Sequence, residues 1–489
     1  MPIAQWWEDL VFTSIPIGDV GIPIVLIVLL SGALFFTLYY SFVNVRFFPL
    51  AINVVRGKYD EVEQEDQFDD GENQTIHQGE VNHFQALSTA VSGTVGLGNI
   101  AMVAVAISIG GPGATFWMIV AGLLGMSSKF VECTLGVKYR DIDSQGKVYG
   151  GPMYYLSRGL KEKGWMAFGK FLAAFYAIMC VGASFGGGNA FQSNQAATQI
   201  IERFGVSGTA SGTMIGFFFA IVVGIVIIGG IKRIAKVTEK IVPFMAVLYV
   251  VAALIIILAN FSFIDDAFAL IFHDAFTPKA TITGGFIGVM IQGFRRAAFS
   301  NEAGAGSAAI AHSAVQTNFP ASEGLVALLE PFIDTVLICT MTALVIIFFN
   351  MDGVFTYGDV LNNEVAVLAT GERIGGVQIT SMAFDTIIPG FSYVLAIAVV
   401  LFAFSTMLAW SYYGLQSWKY LFGRSKTSDL VYKITFLLFT VLGAAVTLDA
   451  VIKFSEAMIL ALVFPNMIGL FLLRGKVKEE LEKYLKKIR

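Results

Sequence analysis

Across 489 residues the chain is 56% hydrophobic and only 14% charged, whereas soluble domains carry about 25% charged residues. That balance excludes a soluble globular protein and predicts an integral, mainly helical membrane protein whose first partner is the lipid bilayer. The net charge of −4 gives no reason to expect a nucleic-acid partner.

The N-terminal residues carry Glu8 and Asp9 and no basic residue, which does not match a cleavable signal peptide. A membrane span needs about 20 apolar residues. Stretches of that kind are expected at 16–45, 84–109, 112–137, 165–200, 211–230, 237–260, 283–311, 324–349, 387–413, 430–446 and 451–473, about eleven in all. Between the first two lies an acidic run, Asp60 to Glu72, which reads as a solvated linker. Residues 361–385 read as a loop of mixed polarity with local structure of its own. Cys133, Cys180 and Cys339 all fall in apolar segments and read as buried thiols.

The second span contains Ser92-Gly93-Thr94-Val95-Gly96-Leu97-Gly98-Asn99. Each glycine weakens a helix by about 1 kcal/mol relative to alanine, and lipid cannot satisfy freed amides and carbonyls. Two readings fit: an unwound helix lining a wet cavity, or close helix packing through small residues. Gly110-Gly111-Pro112-Gly113 then marks a tight turn. The fourth span carries an unusually polar run, Gly186-Gly187-Gly188-Asn189-Ala190-Phe191-Gln192-Ser193-Asn194. The seventh carries a second interruption, Phe299-Ser300-Asn301-Glu302-Ala303-Gly304-Ala305-Gly306. Glu302 is costly at membrane depth, and pairing with the nearby Arg295 and Arg296 would neutralise it.

Basic residues set an orientation. Arg46, Arg56, Lys138, Arg140, Arg158, Lys232, Arg233, Arg424 and the tail from Arg474 to Arg489 all fall on one side of the spans. By the positive-inside rule that side is cytoplasmic, with the N-terminus outside and the C-terminus inside. With the first span set aside, the two interruptions fall in the first helix of each group of five. Corresponding breaks in two halves point to an inverted-repeat transporter with its site at mid-membrane. The expected organisation is an accessory helix and linker (1–82), two five-helix repeats (83–262 and 263–473) and a basic tail (474–489).

The motifs Gly93-Thr94-Val95-Gly96-Leu97-Gly98-Asn99-Ile100-Ala101, Gly110-Gly111-Pro112-Gly113, Gly150-Gly151-Pro152-Met153-Tyr154-Tyr155 and Phe299-Ser300-Asn301-Glu302-Ala303-Gly304, in this order, strongly resemble the alanine or glycine:cation symporter family. That family is part of the amino acid–polyamine–organocation superfamily. The resemblance covers nearly all of the chain from His83 onward. It implies an all-α, LeuT-type 5+5 fold in the cell membrane and sodium-coupled uptake of a small neutral amino acid, alanine or glycine.

A zwitterionic substrate needs donors for its carboxylate. Backbone amides at Gly96, Leu97 and Gly98 suit that task, with Thr94 and Asn99 in the same stretch. Carbonyl and hydroxyl oxygens near Phe299 and Ser300 suit the ammonium. The resemblance makes Gln192 a further substrate contact. Trp410, one turn beyond Thr406, reads either as a wall of the pocket or as an interfacial tryptophan, and Asp334 in the eighth span as a pathway residue or an internally paired one, ranked below the others. Sodium prefers hard oxygen ligands. By the same resemblance it sits between the hydroxyls of Ser405 and Thr406 and the carbonyls of Ser92 and Val95; otherwise both hydroxyls bond their own helix. No His-Glu-x-x-His, Gly-x-Ser-x-Gly or phosphate-binding loop is found, so no enzyme or ATP-driven pump is expected. Proton coupling through Glu302 is the alternative to sodium.

Overall fold

The computed structural model describes residues 2–17, 20–64, 79–206, 208, 210–277 and 282–488. A hairpin of Ser14–Ile17 and Val20–Pro23 leads into α1 (Ile24–Tyr39). The helices of the bundle that follow are α2 (His83–Thr94), α3 (Gly98–Gly110), α4 (Gly113–Lys138), α5 (Met166–Phe204), α6 (Ser211–Ile227), α7 (Gly230–Ala259), α8 (Gly285–Asn301), α9 (Ala308–His312), α10 (Pro320–Phe349), α11 (Phe391–Phe422), α12 (Lys426–Gly443) and α13 (Leu448–Lys487).

Among the described residues, six helices are long and apolar enough to cross a membrane, and a seventh span forms if α2 and α3 are taken together. Helices stand at the other expected places too, but α1 and α6 are short, α8 is only 17 residues long, and α12 carries Lys426, Asp429 and Lys433. The expected number of eleven therefore rests on these weaker elements as well.

Helix α2 starts at a reciprocal cap. Asn82 accepts from the Gln85 amide (2.8 Å), and the Gln85 side chain accepts from the Asn82 amide (3.2 Å). The chain then bends by 47° between α2 and α3. Helix α8 ends at Glu302, which adopts a left-handed φ of +54°. Gly304 (φ +90°) and Gly306 (φ +82°) continue the turn before α9 resumes, a path that side chains resist.

These two interrupted segments form the centre of the bundle. Residues 86–108 and 296–315 are buried without exception. Helices α7 and α11 pack on α2, and α4 packs along α8 and α9. Helix α1 lies outside this group, against α4 and α13. The periphery faces lipid: Phe217, Phe218, Ile221 and Ile225 on α6, and Leu430, Ile434, Leu438 and Leu442 on α12, are all exposed. The four-residue spacing on α12 puts one apolar stripe along one face.

Of two connections, the first carries the local structure the sequence reading expects and the second differs from it. The segment 361–385 holds a three-stranded antiparallel sheet (Val360–Leu361, Glu364–Ala366, Arg373–Gly375), then a helix, Val377–Ile387. Its Thr380 hydroxyl donates to the Ile100 carbonyl (3.0 Å), which pins the segment to the first interrupted helix. The acidic run is not simply a solvated linker. Asp60–Gln64 is helical and Glu63 is only 3% exposed, because four surrounding side chains hydrogen-bond to its carboxylate. Residues 65–72 of the run lie outside the described residues.

Candidate functional site

The first break is held open by side chains. In a continuous helix the amides of Gly96 and Leu97 would bond the carbonyls of Ser92 and Gly93. Here the Gly96 amide donates to Asn99 Oδ1 (2.9 Å), and the Leu97 amide donates to Gln192 Oε1 of α5 (3.2 Å). The Ser92 carbonyl is thereby released from its helical donor. The Gly93 carbonyl instead accepts from Trp410 Nε1 of α11 (3.2 Å). Gln192 is itself fixed, since its Nε2 donates to the Gly187 carbonyl (2.9 Å).

Glycine is required at position 96 by close approach. A methyl group built there would overlap Thr406 Oγ1 and stand 3.3 Å from Gln192 Oε1. Position 98 differs: its φ is not left-handed, and the nearest atom to an added methyl is the Ser300 Cα at 3.5 Å, an ordinary contact. Position 98 therefore does not depend on glycine's conformational freedom.

The paired hydroxyls on α11 behave differently from one another. Ser405 Oγ donates to the Phe402 carbonyl of its own helix (3.0 Å). Its carbonyl accepts from Ser92 Oγ (2.8 Å), which ties α11 to the first break. Thr406 Oγ1 is buried and has no hydrogen-bond partner. A buried hydroxyl without a partner is costly; this one stands against Gly96 in the first break.

The second break meets the first through Asp334 of α10. Asn99 Nδ2 donates to Asp334 Oδ1 (2.6 Å), Ser300 Oγ to Oδ2 (2.9 Å) and Thr335 Oγ1 to Oδ2 (2.6 Å). Asp334 ranked low from sequence alone, yet it is the side chain that joins both interruptions. Trp410 is a second bridge, donating to Glu302 Oε1 (3.1 Å) as well as to Gly93. It is not peripheral: its ring packs against Gly188, where an added methyl would overlap it. Phe191 and Phe299 meet edge to face with centroids 5.5 Å apart.

Arg295 and Arg296 do not neutralise Glu302. Both pair with Glu456 of α13, which is fully buried. Glu302 instead accepts from Ser307 and Trp410.

Of the residues singled out from sequence, Ser92, Gly96, Leu97, Asn99, Gln192, Ser300, Thr406 and Trp410 converge on the two breaks. Thr94 bonds back to its own helix, at Ala90 (3.3 Å) and Val91 (3.4 Å). The amides of Gly96 and Leu97 are occupied by side chains of the protein, so a ligand reaches them only by displacing Asn99 or Gln192. Asp334 ranked low because a lone aspartate in an apolar span has no pattern that names its partners.

A mainly helical membrane bundle with two interrupted helices meeting at its centre defines a secondary transporter of the LeuT-type fold, not an enzyme. Its fold matches that of MhsT, crystallised in complex with L-phenylalanine, at a TM-score of 0.54 and 15% identity, over 81% of this chain and 98% of that one. The chain belongs to the sodium:alanine symporter family, whose sequence profile matches residues 12–489. It is 38% identical to the sodium/alanine symporter AgcS of Methanococcus maripaludis, over 94% of this chain and 93% of that one. It is also 34% identical to the sodium/proton-dependent alanine carrier protein of Bacillus sp. strain PS3 (80% and 85%). The probable sodium/glutamine symporter GlnT of Bacillus subtilis is 32% identical (94% and 87%).

Proposed function

We propose that this chain imports a small neutral amino acid, alanine or glycine, together with sodium, by alternating access of the site between the two breaks. The observation that carries the reading is Thr406 Oγ1, buried without a partner against Gly96. In this reading sodium is bound by Thr406 Oγ1, the Ser92 and Val95 carbonyls, and Ser405 as a secondary ligand. The substrate carboxylate takes the Leu97 amide in place of Gln192 Oε1, with Gly96, Gly98, Thr94 and Asn99 around it. The ammonium lies toward Phe299 and Ser300, and Phe191, Gln192, Phe299 and Trp410 bound the side-chain pocket. The names of AgcS and the PS3 carrier support alanine, while that of GlnT supports a family range reaching a larger amide side chain.

The repeats are assigned as 83–262 and 263–473. The end bearing the basic loops is assigned to the cytoplasm, with the N-terminus outside; a reporter fused after Arg489 that is active only in the periplasmic sense overturns that assignment.

Direct binding of alanine, glycine, serine, glutamine and leucine to purified protein, in sodium and in its absence, tests the function. Alanine or glycine should bind tightest and only with sodium. Equal binding of leucine removes the small pocket; binding indifferent to sodium removes the coupling ion. Glu302 and Asp334, both buried against the breaks, favour proton coupling as the second reading. Counterflow in proteoliposomes with sodium and pH gradients imposed separately distinguishes the two.

A further inference from the structure

A row of ionisable side chains runs from the helix Asp60–Gln64 to the second break, away from the contacts assigned above. Glu63 Oε2 lies 3.1 Å from His83 Nε2. His83 Nδ1 contacts Glu323, and Glu323 Oε1 lies 2.5 Å from His312 Nδ1. His312 Nε2 faces Glu330 Oε2 at 3.5 Å, and Glu330 Oε1 accepts from Lys129 Nζ at 2.9 Å. Beyond Lys129 stands Glu132 (3.9 Å), which accepts from Asn466; the same Asn466 nitrogen donates to the Gly304 carbonyl (2.8 Å) in the second break. His83 is 6% exposed and Glu63 3%; Lys129, Glu132, His312, Glu323 and Glu330 are fully buried.

Two features separate this row from a static ladder of ion pairs. First, each imidazole stands between two carboxyl groups. A neutral imidazole has one N–H, so facing two acids requires a further proton, on the ring or on an acid. An imidazole so placed takes a proton on one nitrogen and gives one up from the other. Second, the link from His312 Nε2 to Glu330 Oε2 is open: neither atom has a hydrogen-bond partner. A small approach of the two closes it. At the outer end Glu63 accepts from Tyr484 (2.9 Å), and its neighbours Asp60 and Glu61 are exposed to water.

We propose that Glu63, His83, Glu323, His312 and Glu330 form a proton path between the basic face and the Lys129 cluster beside the second break. One proton enters at Glu63, passes through His83 to Glu323 and through His312 to Glu330, and no bond between heavy atoms changes. Other charged or titratable groups facing the row are Arg140, whose guanidinium holds the Ser313 and Thr317 carbonyls beside Glu323, and Cys133, Glu302, Tyr413 and Tyr484. Intramembrane chains of Asp, Glu and His are the usual makings of proton relays. Delivery is sided, because among the described residues the water-exposed neighbours of the row, Asp60 and Glu61, stand at its Glu63 end.

The transport arm of the test rests on the alanine reading; the spectroscopic arm does not. Full-length protein, His312→Asn and Glu63→Gln are reconstituted in vesicles. Glu63→Gln keeps the size of the side chain at the outer end, so it covers the case in which His312→Asn does not fold. Infrared difference spectra across a pH step should show exchanging carboxyl and imidazole bands in the wild type and their loss in the variants. Alanine uptake in the wild type should change several-fold with pH in the compartment facing the basic end, and little with pH in the other. The variants should lose that dependence while still requiring sodium. If uptake fell equally at every pH with the profile unchanged, the row would be a structural clasp and the proposal would fail. Unchanged infrared bands in both variants would overturn it too. If the wild type moved no alanine but the bands behaved as expected, the substrate reading would fall and the path would stand.

Discussion

Replacing Thr406 by valine separates two effects that usually move together. The substitution keeps the branched shape and removes one oxygen. That oxygen is buried and unpartnered without an ion, and such a group costs about 1–3 kcal/mol. Thr406→Val should therefore raise the stability of the sodium-free protein. With sodium the sign reverses, because an interaction with a charge, worth about 1.5–3 kcal/mol, is lost. That corresponds to a sodium affinity lower by about 10- to 150-fold. The consequence for melting is direct: an ion present at 100 times its Kd stabilises the folded state by about 2.7 kcal/mol, but only by about 0.4 kcal/mol once Kd has risen 100-fold. Melting in detergent, with sodium and with choline in its place, measures both effects. Ser405→Ala is the control, since its hydroxyl already bonds Phe402, and it should move the sodium response much less. A Thr406→Val protein that melts lower than wild type in choline and keeps its full sodium response would refute the assignment of this oxygen.

Gly96→Ala should abolish sodium-dependent binding because its methyl overlaps Thr406 Oγ1, whereas Gly98→Ala, in ordinary contact with Ser300, should retain it; equilibrium binding to the two purified proteins decides. Asp334→Ala leaves the Ser300 and Thr335 hydroxyls without their carboxylate acceptor, while Asn99 Nδ2 keeps the backbone carbonyl of residue 334 (3.1 Å). At about 1–3 kcal/mol for each hydroxyl, the loss should exceed about 2 kcal/mol and be visible as a lower melting temperature. Glu456→Gln removes the carboxylate shared by Arg295 and Arg296; breaking a buried pair costs about 3–5 kcal/mol, so this variant should be poorly expressed and melt early in detergent. Gln192→Ala frees the Leu97 amide and should alter substrate affinity while leaving the sodium-induced melting shift in place.

Where the sequence was legible, a local rule broke. Glycines and hydroxyls inside apolar runs marked both interruptions, and the structure bends or unwinds at Val95–Leu97 and at Glu302–Gly306. The polar run at 186–194 marked the part of α5 that reaches the first break through Gln192. What stayed hidden depends on partners far away in the chain. Glu63 sits in a run of acids that composition assigns to solvent, and only the folded positions of His83, Thr317, Ser322 and Tyr484 bury it. The partner of Arg295 and Arg296 lies some 160 residues onward, while Glu302 was close in sequence and points elsewhere. The difference between Ser405 and Thr406 is one of rotation about a single helix, which two adjacent hydroxyls do not reveal.

The side chains that close the first break bear on turnover. A carrier completes its cycle only if it can make the unladen return, and a backbone stripped of its helical bonds within a bilayer would make that passage slow. In this chain Asn99 and Gln192 lend their amide oxygens to Gly96 and Leu97. A primary carboxamide imitates one edge of a carboxylate, so under the proposed site Gln192 stands in for the substrate carboxylate at the Leu97 amide. The strength of that stand-in sets a compromise: too firm a hold competes with arriving substrate, and too weak a hold strands the empty protein on one side.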